Sequence, residues 1–195
     1  MKTPISIIML ILSFAFPGLA LAHTGTGEAA GFIHGLNHPI SGADHLLAML
    51  AVGLWATQIG GRALWVVPCT FVGVMILGGA LGFYGVPILF IEEGIAVSVL
   101  ILGIFVASAF QLPPLYSAII VGSFALFHGH AHGAEMPASM GAGLYTVGFA
   151  SVTAMLHVAG IGLGILMQKT HLQMVTRIAG GAVALSGIYL AILLH

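Results

Sequence analysis

Charge is what this sequence has least of. Of its 195 residues, four are Lys or Arg and five are Asp or Glu, so charged side chains make up 5%. Ordinary soluble domains carry about 25%. A water-soluble domain of this size cannot cover its surface with so few charges, and the chain reads as an integral membrane protein. The formal net charge of -1 excludes a basic nucleic-acid surface. The single cysteine, Cys69, lies in an apolar run and excludes a disulfide framework or a multi-cysteine zinc site. There is no G-x-x-x-x-G-K-[ST] and no soluble domain to hold one, which excludes nucleotide hydrolysis. What the chain has in excess is apolar surface (59% hydrophobic), glycine (28) and histidine (10). In so apolar a chain, the histidines are where function is to be sought.

The N-terminus has the form of a targeting segment. Lys2 precedes an apolar run from Ile5 to Phe16, followed by Pro17-Gly18 and the A-x-A pattern Ala20-Leu21-Ala22. This reads as a signal peptide over residues 1–22, cleaved after Ala22. An uncleaved first helix is the other reading, and both place residue 23 outside. After cleavage the chain begins at His23, whose free amine and imidazole can chelate a divalent cation or simply form a disordered end.

Residues 23–195 form one transmembrane domain with no linker or second unit. A span takes about 20 apolar residues, and six helical candidates follow at 31–58, 63–84, 91–110, 114–132, 142–167 and 174–194. The expected fold is an all-α membrane protein with six transmembrane helices. Starting outside, this topology puts Arg62, Lys169 and Arg177 in cytoplasmic turns, as the positive-inside rule requires. Glu28, Glu92, Glu93 and Glu135 then fall on the outer side. The G-x-x-x-G pairs Gly31/Gly35, Gly78/Gly82, Gly129/Gly133 and Gly160/Gly164 predict close helix packing.

Intramembrane polar residues gather in two stretches. The first is His38-Pro39-Ile40-Ser41-Gly42-Ala43-Asp44-His45. Pro39 suits a first helical turn, so a helix is expected to begin here, capped by Asn37 or Ser41. His38 and His45, seven apart, then share a face, which His34 and Met49 extend outward and inward. Asp44 either coordinates a cation or orients an imidazole as its acceptor. An ionisable Asp inside a span is costly and marks function.

The second stretch is Phe127-His128-Gly129-His130-Ala131-His132-Gly133-Ala134-Glu135. His128 and His132 are i and i+4, which lets two imidazoles hold one ion, and Glu135 extends that face. His130 points elsewhere. Imidazole with carboxylate suits Ni, Co, Zn or Fe. Glu92 and Glu93 open the third span on the same side, either completing the site, drawing cations to its mouth, or capping the helix. His157, in mid-span, is either a relay ligand on the way inward or a core histidine bonded to a carbonyl. Met155, Met167 and Met174 read as packing, and His171 and His195 as residues of the membrane ends.

His38-x5-Asp44-His45 and Phe127-His128-Gly129-x-Ala131-His132-Gly133-x-Glu135 resemble the two signature motifs of the HupE/UreJ family of bacterial membrane proteins. Glu92-Glu93-Gly94-Ile95-Ala96-Val97-Ser98-Val99 resembles that family's third span, with Glu92 at its acidic position. The resemblance covers the whole chain. It implies an ATP-independent nickel or cobalt permease of the inner membrane that supplies hydrogenase and urease. It also implies His38, Asp44, His45, Glu92, His132 and Glu135 as the functional set, with His128 close by. The metal is then a transported ion rather than a cofactor, the surroundings are membrane lipid, no ATPase partner is needed, and a homo-oligomer is compatible. Two other classes fit the residues. An intramembrane metal hydrolase would use bound water as nucleophile, although H-E-x-x-H is missing. A metal sensor or delivery subunit would bind without flux.

Overall fold

The computed structural model describes residues 28–137 and 141–195, with side chains from residue 30 onward. The signal-peptide segment 1–22 and His23 lie outside the described residues, as does the side chain of Glu28. All regular structure among the described residues is helical. In chain order the helices are α1 (Glu28–Ser41), α2 (Ala43–Ile59), α3 (Ala63–Phe83), α4 (Ile91–Ser108), α5 (Pro114–Ala134), α6 (Ala142–Lys169) and α7 (Gln173–Leu193). Four of them, α3, α4, α6 and α7, are long and apolar enough to cross a membrane, and the bent pair α1–α2 makes a fifth candidate. Helix α5 is as long, at 21 residues, but its last turns carry three histidines. A belt of exposed apolar side chains, among them Leu77, Ile104, Ile119, Val158, Ile178 and Leu185, faces outward. Apolar surface on that scale is covered by lipid, so the chain is a multi-pass membrane protein.

One sequence expectation is corrected at the first span. Residues 31–58 are not a single helix beginning near Pro39. Helix α1 runs through Pro39, breaks at Gly42, and α2 leaves at an angle of 81°. Neither Asn37 nor Ser41 caps α2; Gly42 stands at its N-cap, and Ser41 Oγ donates back to the Asn37 carbonyl at 2.8 Å. Pro39 does not take the first-turn place that proline prefers but lies in the last turn of α1. Its missing N–H takes away the donor that the Gly35 carbonyl would have in a regular helix, one turn before the break.

Helix α2 is the axis of the bundle. Nearly every side chain from Ala48 to Thr57 is buried, as expected of a helix that is apolar all round. It is enclosed chiefly by α3, α4 and α6, while α3 packs along α5, α4 along α7, and α1 along α6. These approaches are made by glycine. A Cβ on Gly129 would run into the backbone of Met75 and Gly79, and one on Gly133 into Gly79 and Phe83. A Cβ on Gly35 would strike Tyr145 and Phe149, and one on Gly53 would strike His157, Gly160 and Ile161. Close packing is therefore the role of the small-residue spacings, as their pattern predicts.

The two ends of the bundle differ in charge. At one end Gly60 and Gly61, both at positive φ, turn the chain beside Arg62. There Gln168 donates to the Thr57 carbonyl and Arg177 to that of Ala107. The other end carries Asp44, Glu92, Glu93 and Glu135. Packing on glycine gives a direct test. Gly129→Ala is expected to lower stability by about 1–3 kcal/mol through overpacking. Gly162→Ala, whose Cβ meets nothing within 4 Å, should be neutral or stabilising by up to about 1 kcal/mol. Thermal unfolding of the detergent-solubilised protein reads both, and equal losses would refute the packing role.

Candidate metal site

Four imidazoles meet where α1, α2 and α5 converge. The His132 ring lies 4.8 Å from His38 and 4.6 Å from His45, and His45 lies 4.6 Å from His128, all centroid to centroid and all edge to face. His38 and His45 are 6.4 Å apart. They do not share a helical face, because Gly42 breaks the helix between them; the 81° bend brings them together instead. His128 and His132 do stand on one face of α5, one turn apart. His130 leaves that face and bonds the Val86 carbonyl through Nε2 at 2.7 Å.

Each of three rings has one nitrogen held by an oxygen. Asp44 Oδ1 accepts from the His45 backbone N–H at 2.7 Å and from His45 Nδ1 at 2.9 Å. Asp44 thus holds the imidazole of the residue that follows it. His45 must then carry its proton on Nδ1, leaving the lone pair on Nε2, which is buried and without a partner. Gly42 makes room for this bond, since a Cβ there would sit 2.6 Å from Asp44 Oδ1.

Ser98 settles His128 in the same way. Its hydroxyl lies 2.6 Å from the Ile95 carbonyl, which can only accept, so its one proton is committed there. The 2.7 Å contact between Ser98 Oγ and His128 Nε2 then has the imidazole as donor. His128 Nδ1 keeps the lone pair, again buried and unpartnered. At the mouth His38 Nε2 lies 2.9 Å from Glu135 Oε2. Glu135 follows the end of α5 rather than continuing its face, and from there it reaches across to α1. His132 has neither nitrogen bonded; its ring is stacked on Phe149 at 5.0 Å, nearly parallel.

The cluster runs from exposed to buried. The side chains of Glu135 and His38 are 54% and 27% exposed, whereas His128 and His132 are sealed. Glu92, exposed in the first turn of α4, is within electrostatic range of Asp44, Glu135 and His45 but bonds none of them. Among the described residues, no three imidazole, carboxylate or thiol groups close around one point as a cage. The donors are contiguous rather than convergent. Buried imidazole lone pairs backed by oxygen acceptors have the chemistry of divalent-metal ligands, for which such backing fixes tautomer and ring orientation.

Sequence reasoning did not single out Ser98, Phe71, Phe149 or Tyr145. A serine inside an apolar span is a signal for a bond across helices, and Ser98 carries it. The aromatic residues look like packing and carry none.

The fold and this site define a multi-pass helical membrane protein with a histidine cluster in its interior, opening past carboxylates at one end. The family described as HupE / UreJ protein matches residues 10–190, and the chain belongs to that family. It is 48% identical over 182 residues to Protein HupE of Rhizobium leguminosarum bv. viciae, a match covering 93% of this chain and 95% of that protein. No solved structure matches the chain at a significant level.

If the cluster binds a divalent cation, Ser98→Ala, which frees the His128 ring, is expected to lower the affinity of the purified protein for it by about 10–100-fold, the usual cost of losing a group that orients a ligand. Isothermal titration calorimetry measures it, and unchanged affinity would reduce Ser98 to packing.

Proposed function

We propose that this chain is a secondary permease importing divalent nickel or cobalt across the bacterial inner membrane for hydrogenase or urease maturation. In this reading it has six spans, the α1–α2 pair and α5 included, after a signal peptide over residues 1–22. The mature N-terminus is periplasmic, and residues 23–195 are one permease domain. The end bearing Arg62, Lys169 and Arg177 faces the cytoplasm, in accord with the positive-inside rule. The metal set is His38, Asp44, His45, Glu92, His128, His132 and Glu135. The observation that carries the reading is the row of unpartnered imidazole nitrogens on His45, His128 and His132 inside the bundle. Buried polar groups are normally bonded, and a bare lone pair there is costly unless something else uses it.

Exposed Glu135 and Glu92 attract the cation, His38 and His132 receive it, and His45 and His128 draw it inward. Donors spread along a row rather than closed into a cage let an ion bind without being trapped, as conduction requires. Inward movement of a divalent cation gains roughly 4.6 kcal/mol per 100 mV of inside-negative potential. Potential and cytoplasmic capture are thus enough to drive it, with no catalytic step.

The test is uptake of Ni, Co, Zn and Mn into proteoliposomes holding the purified protein under an inside-negative potential. Saturable Ni or Co flux is expected, and Asp44→Asn should abolish it while leaving the protein inserted. Uptake that persists in Asp44→Asn would make Asp44 a structural hydrogen bond only. Tight binding with no flux for any of the four metals would point to a sensor or delivery subunit. A second pair of variants separates the rings of α5: His132→Ala should lose most of the flux, and His130→Ala much less. Equal losses would overturn the division between the two faces.

A further inference from the structure

One buried histidine belongs to none of these contacts. His157, on α6, is almost fully buried, and neither ring nitrogen has a hydrogen-bond partner. The carbonyl-bonded core histidine is therefore not what the structure contains. Burying such a ring unsatisfied is costly, and a leucine of similar size would avoid that cost.

Its surroundings place it on the same line as the cluster, deeper in the bundle. Gly53 of α2 packs against the His157 carbonyl, and Gly53 is eight residues inward of His45, about 12 Å along the helix axis. Helical side chains lean toward the N-terminus of their own helix. For α6 that is the acidic end, so the His157 ring tilts back toward the cluster. Between them stands Phe71, completely buried, its ring 5.8 Å from His128 and 5.1 Å from His157. One turn outward, Met75 and Thr153 repeat the pairing of Phe71 with His157, with Thr153 Oγ1 3.6 Å from Met75 Sδ. The two helices thus present matched i, i+4 pairs: Phe71 and Met75 from α3, Thr153 and His157 from α6.

We propose that His157 is an inner way-station for the divalent cation, separated from the outer imidazoles by the Phe71 ring and flanked by the Met75 thioether. The inference rests on the permease reading. The His157 imidazole is a borderline donor suited to Ni or Co and unsuited to Mg or Ca. A site with so few donors holds the ion weakly, which passage requires. The Phe71 ring must swing aside for the ion to pass.

The experiment compares wild type, His157→Leu and His157→Met in proteoliposomes, with Co binding measured on the same detergent-solubilised proteins. Leu and Met have similar volume and are exchanged in cores with little cost, but only Met offers a donor. We expect Co binding in both variants to stay near wild type, because the outer cluster is untouched. Flux should fall by about tenfold or more in His157→Leu and be partly restored in His157→Met. Equal flux in the two variants, whether normal or abolished, would assign His157 to packing and overturn the proposal while leaving the permease reading intact. Absence of flux in wild type itself would remove both.

Discussion

The pairing of His45, His128 and His38 each with one oxygen is the constraint on which the rest of the interior depends. A neutral imidazole has one N–H and one lone pair, and inside a lipid-surrounded bundle there is no solvent to satisfy either. Asp44, Ser98 and Glu135 each take one nitrogen, on His45, His128 and His38. Once that nitrogen is fixed, the opposite one carries a lone pair of known direction. The carboxylates and the serine therefore determine which atoms of the cluster are free to act. They do so from three different elements: α2, α4 and the end of α5.

Glycine makes that arrangement sterically possible. Gly42 lets α1 and α2 meet at 81° and leaves room for the Asp44–His45 bond. Gly129 and Gly133 seat α5 against α3 so closely that His128, His132 and Phe71 share one interior. Gly53 and Gly160 do the same for α2 and α6, and bring His157 to the level below the cluster. In a membrane, where apolar side chains gain little from leaving lipid, such backbone approach is the main source of helix association. The residues that hold the helices together and the residues that form the cluster are neighbours in sequence: Gly42 stands two positions before Asp44, and Gly129 and Gly133 directly follow His128 and His132.

Much of this was legible in advance, and for definite reasons. The deficit of charge excludes a soluble domain whatever the fold. The i, i+4 spacing of His128 and His132 survives because α5 is continuous through both, and the same continuity turns His130 to Val86. The contact role of the small-residue spacings was readable because only glycine permits that approach. The first span failed for an equally definite reason. The 38–45 spacing puts both histidines on one face only of a continuous helix, and Gly42 interrupts it. Composition over residues 31–58 gives no sign of an 81° turn, since both halves are apolar and helical.

The sequence by itself determined the class of protein, the two polar stretches and the helices that carry them, because periodicity and composition are local properties. Only the tertiary structure decided which nitrogens are bare, that Asp44 bonds the His45 ring, and that Glu135 meets His38. It alone placed Ser98 behind His128 and Phe71 between His128 and His157. Apart from the Asp44–His45 bond between neighbours, those facts depend on distances between residues 30 to 97 positions apart in the chain, and such distances are set by how glycine faces pack rather than by any single segment's own preference.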